Sequence, residues 1–174
     1  MAGGNLPNPG KSIPDAYHGT DSVSAEGILN SGFQSSTGEK QFLGDGVYFF
    51  ESAPDQAERW AKRRCRALKR DTYAVLRATI QLGRCLDYLD GRCKALLNDA
   101  AQRLEERGRK VTDATVISFL AQIHPFDSVR AVRQTQLPGT IFAQTNFPGD
   151  VQLIVCVRSK ANIGPPQLVR TGRV

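Results

Sequence analysis

The sequence lacks the long apolar run that a membrane-spanning helix requires, since no stretch approaches roughly 20 apolar residues. Its opening segment, MAGGNLPNPGKSIP, has no apolar stretch between a basic start and a cleavage site, so we expect no secretory signal. Residues 1–13 instead predict a flexible lead-in rich in glycine, proline and asparagine. Together these features favour a cytoplasmic protein without a membrane partner.

Cysteine and histidine are both scarce, with four and two residues respectively. No cysteine has CxxC spacing or a neighbouring histidine, so we expect reduced thiols and no metal. Cys156 lies in an apolar stretch and is interpreted as a small buried hydrophobe rather than a nucleophile. His124 precedes a proline and is interpreted as structural or solvated. His18 is therefore the histidine with a candidate chemical role.

Acidic residues are too few to balance the basic ones, because 17 Asp and Glu face 23 Lys and Arg, for a net charge of +6. The excess is local, and such a cluster attracts polyanions or anionic ligands. The alternative is a solvated helix face. The basic residues concerned are Arg59, Lys62, Arg63, Arg64, Arg66, Lys69 and Arg70.

The succession of apolar patterns predicts one α+β domain over residues 14–174. No internal repeat, low-complexity tract or long linker divides it. The predicted strands are 14–18, 47–50, 73–80 continuing toward 83–87, 128–133, 140–143 and 150–158. The predicted helices start at Asp21 or Ser22 and at Ser52 or Asp55, and two more span 91–107 and 112–123 as an inserted helical layer.

Two clusters of reactive and aromatic residues stand out in residues 15–52. The first, YHGT at 17–20, ends a strand and places a histidine beside a glycine, where backbone can approach a ligand. The second, LGDGVYFF at 43–50, is a glycine-containing turn that runs into an aromatic strand. Between them lies a polar loop, from which Gln41 and Phe42 can reach a substrate.

Three successive segments resemble the ADP-ribosyltransferase superfamily, in particular its poly(ADP-ribose) polymerase-like branch. They are YHGT, a helix-like stretch ending in LNSGF, and GDGVYFF. That branch is known by a His-Tyr-Glu triad whose third member is also found as Asp or Gln. The resemblance implies His18 and Tyr48 as the first two members and Gln152, in the last predicted strand, as the third. It also implies two packed, mostly antiparallel sheets around an NAD cleft, with flanking helices.

The resemblance implies a role for each residue in cleaving the bond between nicotinamide and its ribose. His18 would hydrogen-bond a ribose hydroxyl, and the backbone of Gly19 would pair with the carboxamide. The ring of Tyr48 would stack on nicotinamide, and Thr20 would contact a ribose. Trp60 lies near the spacing of a second stacking aromatic, but its register equally suits core packing.

Gln152 is the point at which the chemistry departs from a glutamate-containing triad. Its amide oxygen can accept a hydrogen bond and orient a ribose hydroxyl, but it has no charge and cannot act as a base. The alternative interpretation is a polar position at a sheet edge. Activation of an acceptor would then need another carboxylate, for which Asp150, Asp45 and Glu51 are candidates.

Three functions fit this set of residues. The first is an NAD-dependent mono-ADP-ribosyltransferase that modifies a protein or nucleic acid, as a toxin or defence effector with an inhibitory partner protein. The basic charge slightly favours a nucleic-acid acceptor. The second is an NAD glycohydrolase with water as acceptor, and the third is a non-catalytic module that binds NAD or ADP-ribose. The RNA 2′-phosphotransferases of the same superfamily use several arginines around a histidine, a set that cannot be placed in this sequence.

Overall fold

The computed structural model describes residues 10–38, 41–134 and 151–174. Within these ranges the chain forms seven strands: β1 Ser12–Asp21, β2 Val47–Glu51, β3 Thr72–Gln81, β4 Cys85–Asp87, β5 Ser128–Gln134, β6 Val151–Val157 and β7 Gln167–Arg173. The helices of this part are α1 Ser22–Ser31, α2 Pro54–Leu68, α3 Gly91–Glu106 and α4 Asp113–Ile123, with one 3-10 turn at Lys160–Asn162. No helix among the described residues combines the length and the apolar character needed to cross a membrane.

All of these strands belong to one hydrogen-bonded sheet, in the order β4-β5-β6-β2-β1-β3-β7. Every pairing is antiparallel except that of β4 with β5. The predicted α+β class is confirmed. The described strands form a single sheet rather than the two sheets that the resemblance implied, because β1 pairs with both β2 and β3.

The sheet is narrowest where β1 meets β2. These two strands pair only at Ala16 and Tyr17, whose partners are Glu51 and Phe50. On its other side, β1 stays paired with β3 through to Asp21. The ladder between β1 and β2 therefore ends before His18, and the two strands part at that residue.

Apolar side chains cover both faces of the sheet. On one face, here called the three-helix face, α2, α3 and α4 pack on a cluster that includes Ile154 and Cys156 of β6. On the other, the α1 face, α1 and Phe33 pack on a cluster that includes Val155 and Val157. The alternation along β6 follows from the two-residue period of a strand.

Three strands differ from the sequence expectation. β1 runs Ser12–Asp21 rather than 14–18, so it begins inside the predicted lead-in of 1–13, whose Ile13 is buried in the core. The chain turns at Gly83, whose φ is 58°, so the segment after β3 does not continue it. It crosses to the opposite edge of the sheet and pairs there as β4, parallel to β5. At the other edge, β7 was not predicted, because its residues are almost all exposed and show no apolar alternation. The predicted strand at 140–143 lies outside the described residues.

Close packing of α2 on β1 depends on Gly19. A Cβ atom built on Gly19 would lie 2.0 Å from the carbonyl oxygen of Ala57 in α2. The helix begins at Pro54, after Ser52 has turned the chain in a left-handed conformation with φ of 53°. Ser52 is thus the turn residue rather than the helix cap, and the glycine is required for packing.

Replacing Gly19 by alanine should therefore lower the free energy of unfolding by about 1–3 kcal/mol, the usual cost of overpacking a core. Gly27→Ala in α1 is the matched control, because no heavy atom lies within 4 Å of a Cβ built there. Alanine also favours a helix interior over glycine. Urea denaturation compares both variants with the parent chain, and a Gly19→Ala variant as stable as the parent would contradict this packing.

Candidate functional site

His18 lies in β1 where β1 and β2 part. Its Nδ1 atom is 2.9 Å from the carbonyl oxygen of Tyr48, and its ring centroid is 5.5 Å from that of Phe33 and 5.8 Å from that of Phe49. Because a carbonyl oxygen only accepts, Nδ1 must carry the proton. Burial lowers the pKa of His18, so its imidazole is neutral at pH 7. Its Nε2 atom is then a hydrogen-bond acceptor.

Tyr48 fixes the loop that precedes its strand. The hydroxyl donates to the carbonyl oxygen of Gly44 at 2.7 Å and accepts from the backbone N–H of Leu43 at 3.1 Å. Burial raises the pKa of Tyr48, which keeps the hydroxyl protonated. The ring also packs near Phe42, with 5.9 Å between the two ring centroids. The hydroxyl therefore has a structural role that the sequence did not indicate.

The rings of His18 and Tyr48 leave the sheet on opposite faces. The His18 ring contacts Phe33 and Phe49, which belong to the cluster on the α1 face. The Tyr48 ring packs against the cluster on the three-helix face. The structure thus connects these two residues through the backbone of Tyr48 and does not place ring against ring.

Gln152 lies on the same face as the Tyr48 ring. It shares this face with Ile154 and Cys156, because every second residue of β6 points the same way, and Cys156 is the strand partner of Tyr48. Its own partner in β5 is Arg133, whose guanidinium carbon lies 5.1 Å from the centroid of the Phe42 ring. These contacts form a continuous group, here called the Tyr48 cluster, made of Tyr48, Phe42, Arg133 and Gln152.

Of the remaining predicted site residues, Gly19 packs against α2 and Trp60 belongs to it. Thr20 is only 2% exposed, so its side chain faces protein rather than solvent. The open side of Gly19 is filled by the helix. Trp60 is 45% exposed, whereas the buried side of α2 is formed by other residues, so core packing of Trp60 is wrong. Its stacking role stays a prediction.

Glu51 is held in an ion pair that sequence reasoning did not find. Its two carboxylate oxygens accept from Nε and Nη2 of Arg130 at 2.7 and 2.9 Å. Arg130 also donates to Asp87 at 3.2 Å, and these charges raise its pKa. Arg130, one of two arginines within the apolar pattern of β5, was the available signal. Glu51 is therefore committed to Arg130 and is not free to act as a base.

The other two candidate carboxylates differ in their surroundings. Asp45 is exposed and accepts a hydrogen bond from the backbone N–H of Gly38 at 3.1 Å. This bond joins Gly38 to Asp45 within the loop before β2. Asp150 lies outside the described residues. Asp45 is thus the candidate that the structure leaves facing solvent.

An open groove of about 1070 Å³ lies beside the Tyr48 cluster. One wall is the loop before β2, whose Phe42 and Gly44 line the groove and also contact Tyr48. The other wall comes from the end of α3, the turn that follows it and the start of α4. Neither His18 nor Gln152 lines the groove. Its charged residues are Arg107, Arg109, Lys110, Arg158, Asp45 and Asp113.

The four cysteines are free and buried, as expected of reduced thiols. Burial raises the pKa of Cys156 to about 12, so its thiol is protonated at neutral pH and contacts the carbonyl oxygens of Gly44 and Asp45. The interpretation of Cys156 as a buried hydrophobe is confirmed. In the part of the chain that the structure describes, no cluster of three or more His, Cys, Asp or Glu residues could hold a metal ion.

Replacing Tyr48 by phenylalanine should lower the free energy of unfolding by about 1–3 kcal/mol, because the groups of Leu43 and Gly44 lose their partner. Tyr17→Phe is the matched control, since Tyr17 is also half-buried against the three-helix cluster and its hydroxyl makes no bond to a described residue. Thermal unfolding of both variants measures the difference. Equal melting temperatures would show that the hydroxyl of Tyr48 does not anchor the loop.

Comparison with known proteins gives limited similarity. No family model matches the chain. The uncharacterized protein MJ0359 of Methanocaldococcus jannaschii is 33% identical over an alignment of 137 residues that covers 67% of this chain and 63% of that protein. The M. tuberculosis MbcT-MbcA toxin-antitoxin complex aligns with 94% of this chain and 86% of the matched chain, at 14% identity and a TM-score of 0.41. This structural similarity is too low to assign a function, so the chemistry of the site rests on its own residues.

Proposed function

We propose that the chain is an NAD-dependent mono-ADP-ribosyltransferase of the poly(ADP-ribose) polymerase-like branch, acting on a protein or nucleic acid. One observation carries this proposal. The carbonyl oxygen of Tyr48 holds His18 as the neutral Nδ1–H tautomer at the point where β1 and β2 part. A fixed imidazole with an accepting Nε2 atom suits the orientation of a sugar hydroxyl.

The reaction breaks the glycosidic bond between nicotinamide and ribose and joins the same ribose carbon to the acceptor nucleophile, whose proton is released. Its transition state has oxocarbenium character, so the enzyme must mainly hold the ribose in the one orientation that lets the acceptor attack. Nε2 of His18 would accept from a ribose hydroxyl. The backbone of Gly19, beyond the end of the β1–β2 ladder, would pair with the carboxamide.

The Tyr48 cluster would supply the other side of the site. In this proposal the opening between β1 and β2 takes the place of the cleft between two sheets that the resemblance implies. Gln152 orients a ribose hydroxyl through its amide oxygen, without the charge assistance that a carboxylate gives. Arg133, its strand partner, brings a positive charge to the same face. A toxin or defence role with an inhibitory partner protein stays a prediction.

The state of Glu51 favours an NAD glycohydrolase as the second candidate. Because Glu51 is paired with Arg130 and Gln152 is neutral, neither can remove a proton from a weak acceptor. Transfer would then need Asp45 or an acceptor that is already nucleophilic. Water is the alternative acceptor, and its product is free ADP-ribose.

Replacing His18 by alanine should abolish NAD consumption, because the hydrogen bond that orients the ribose is lost. His124→Ala is the matched control, since His124 follows α4 and is not part of the site. The measurement is the release of nicotinamide from labelled NAD, with and without cell extract. Equal turnover by the His18→Ala variant and the parent chain would refute the proposed site.

The same assay separates the candidate functions. Label on macromolecules supports the transferase, and free ADP-ribose with nicotinamide supports the glycohydrolase. If NAD binds without any cleavage, the non-catalytic module is the correct description.

Replacing Gln152 by alanine should cost about 1–3 kcal/mol of transition-state stabilisation, the range for losing one partner of a buried hydrogen bond. This corresponds to a roughly ten- to hundredfold lower rate. Gln152→Glu keeps the geometry and adds charge, so it should retain or raise NAD cleavage. If the alanine variant cleaves NAD at the parental rate, the third position of the triad lies elsewhere.

A further inference from the structure

We propose that the groove beside the Tyr48 cluster, here called the basic groove, binds a single strand of nucleic acid through its phosphates. Three of its basic residues, Arg107, Arg109 and Lys110, lie at the end of α3 and in the following turn, and Arg158 follows β6 on the opposite wall. Positive charge on both walls suits a phosphodiester chain that runs between them.

Among the described residues, these positive charges have no carboxylate partner. Counting only residues 10–38, 41–134 and 151–174, no carboxylate lies within ion-pair distance of Arg107, Arg109, Lys110 or Arg158. The guanidinium of Arg107 lies over the ring of Phe119 instead, with 5.4 Å between its carbon and the ring centroid. An arginine that stacks on an aromatic ring keeps its donors available for a phosphate.

The two acids in the groove do not cancel this charge. Asp45 uses one carboxylate oxygen to accept from the N–H of Gly38 and closes the loop there. Asp113 lies in the first turn of α4, where the helix N-terminus partly offsets its charge. Among the lining residues that the structure describes, four basic residues stand against two acidic ones, which gives this part of the lining a positive charge.

Size and aromatic content favour an unpaired strand. The volume of about 1070 Å³ lies just above the roughly 300–1,000 Å³ typical of small-ligand pockets, and it is more than one phosphate needs. Phe42 and Phe119 both line the groove and are half-buried. Aromatic rings in a basic groove stack with unpaired bases, which a duplex does not expose.

The basic groove leads to the proposed site through shared residues. Phe42 lines the groove and packs against Tyr48, and Gly44 lines it and accepts from the Tyr48 hydroxyl. A strand held in the groove therefore lies against the wall that Tyr48 fixes. That this strand is the acceptor rests on the proposed function, whereas its binding in the groove does not.

The test is the fluorescence anisotropy of a short labelled oligothymidylate titrated with the full chain over a range of salt concentrations. The groove variant is Arg107→Gln/Arg109→Gln/Lys110→Gln. The control, Arg63→Gln/Arg66→Gln/Arg70→Gln, removes the same charge from the basic cluster around α2. We expect the groove variant to raise Kd about tenfold and to reduce the slope of log K against log salt by about 2, at roughly 0.7 per phosphate contact. The control should change Kd less than about threefold.

Several results would overturn the proposal. They are absence of binding to the parent chain, an equal or larger loss in the α2 control, tighter binding of a labelled duplex, or displacement of the oligonucleotide by NAD. The last would make the groove the dinucleotide site. Because every substituted residue is exposed, circular dichroism should show that both variants melt like the parent chain. The parent chain and its His18→Ala variant should bind the oligonucleotide equally. If they do and the parent chain does not cleave NAD, the proposed function is refuted and this inference stands.

Discussion

The short ladder between β1 and β2 is the constraint on which the rest of the structure depends. Only Ala16 and Tyr17 pair across it, and both halves of the sheet are joined there. Immediately beyond, the side chain of His18 replaces the missing ladder by bonding to the carbonyl oxygen of Tyr48. The same hydrogen bond that joins the strands also sets the tautomer of the histidine, so sheet geometry and site chemistry have one cause.

The charged residues near this junction serve two purposes. Glu51, the partner of Ala16 in the ladder, is held by Arg130, which reaches across β6 from β5. All members of this group, including Asp87, are less than one-fifth exposed, so removing one partner would leave a charge that water solvates poorly. The basic groove shows the opposite arrangement, because its cations have no carboxylate partner among the described residues and three of the four are exposed. In this part of the chain, paired charges stabilise the sheet and the cations without a partner are available to a ligand.

The sequence predicted those helices and strands in which one face is apolar and the other is polar. The α+β class, α1 with its Asp21 cap, β2 and the two helices of the inserted layer follow from local apolar periodicity and capping residues. β4 and β7 could not be placed in this way. β4 reaches its edge by a crossover that periodicity does not encode, and β7 is an exposed edge strand with little to bury.

The sequence names candidate site residues but does not predict how they are arranged. The motifs around His18 and Tyr48 are local, yet the face on which each ring lies depends on how β1 pairs with β2. The partner of Glu51 is 79 residues away along the chain, so only the folded sheet brings the pair together. The basic groove likewise combines a loop, a helical turn and Arg158, which are far apart in sequence.

The most direct test of the central claim is a crystal structure of the chain with a non-cleavable NAD analogue. We expect a ribose hydroxyl of the analogue to donate to Nε2 of His18, while Nδ1 keeps its bond to the carbonyl oxygen of Tyr48. An analogue bound away from the opening between β1 and β2, with no contact to His18, would contradict it.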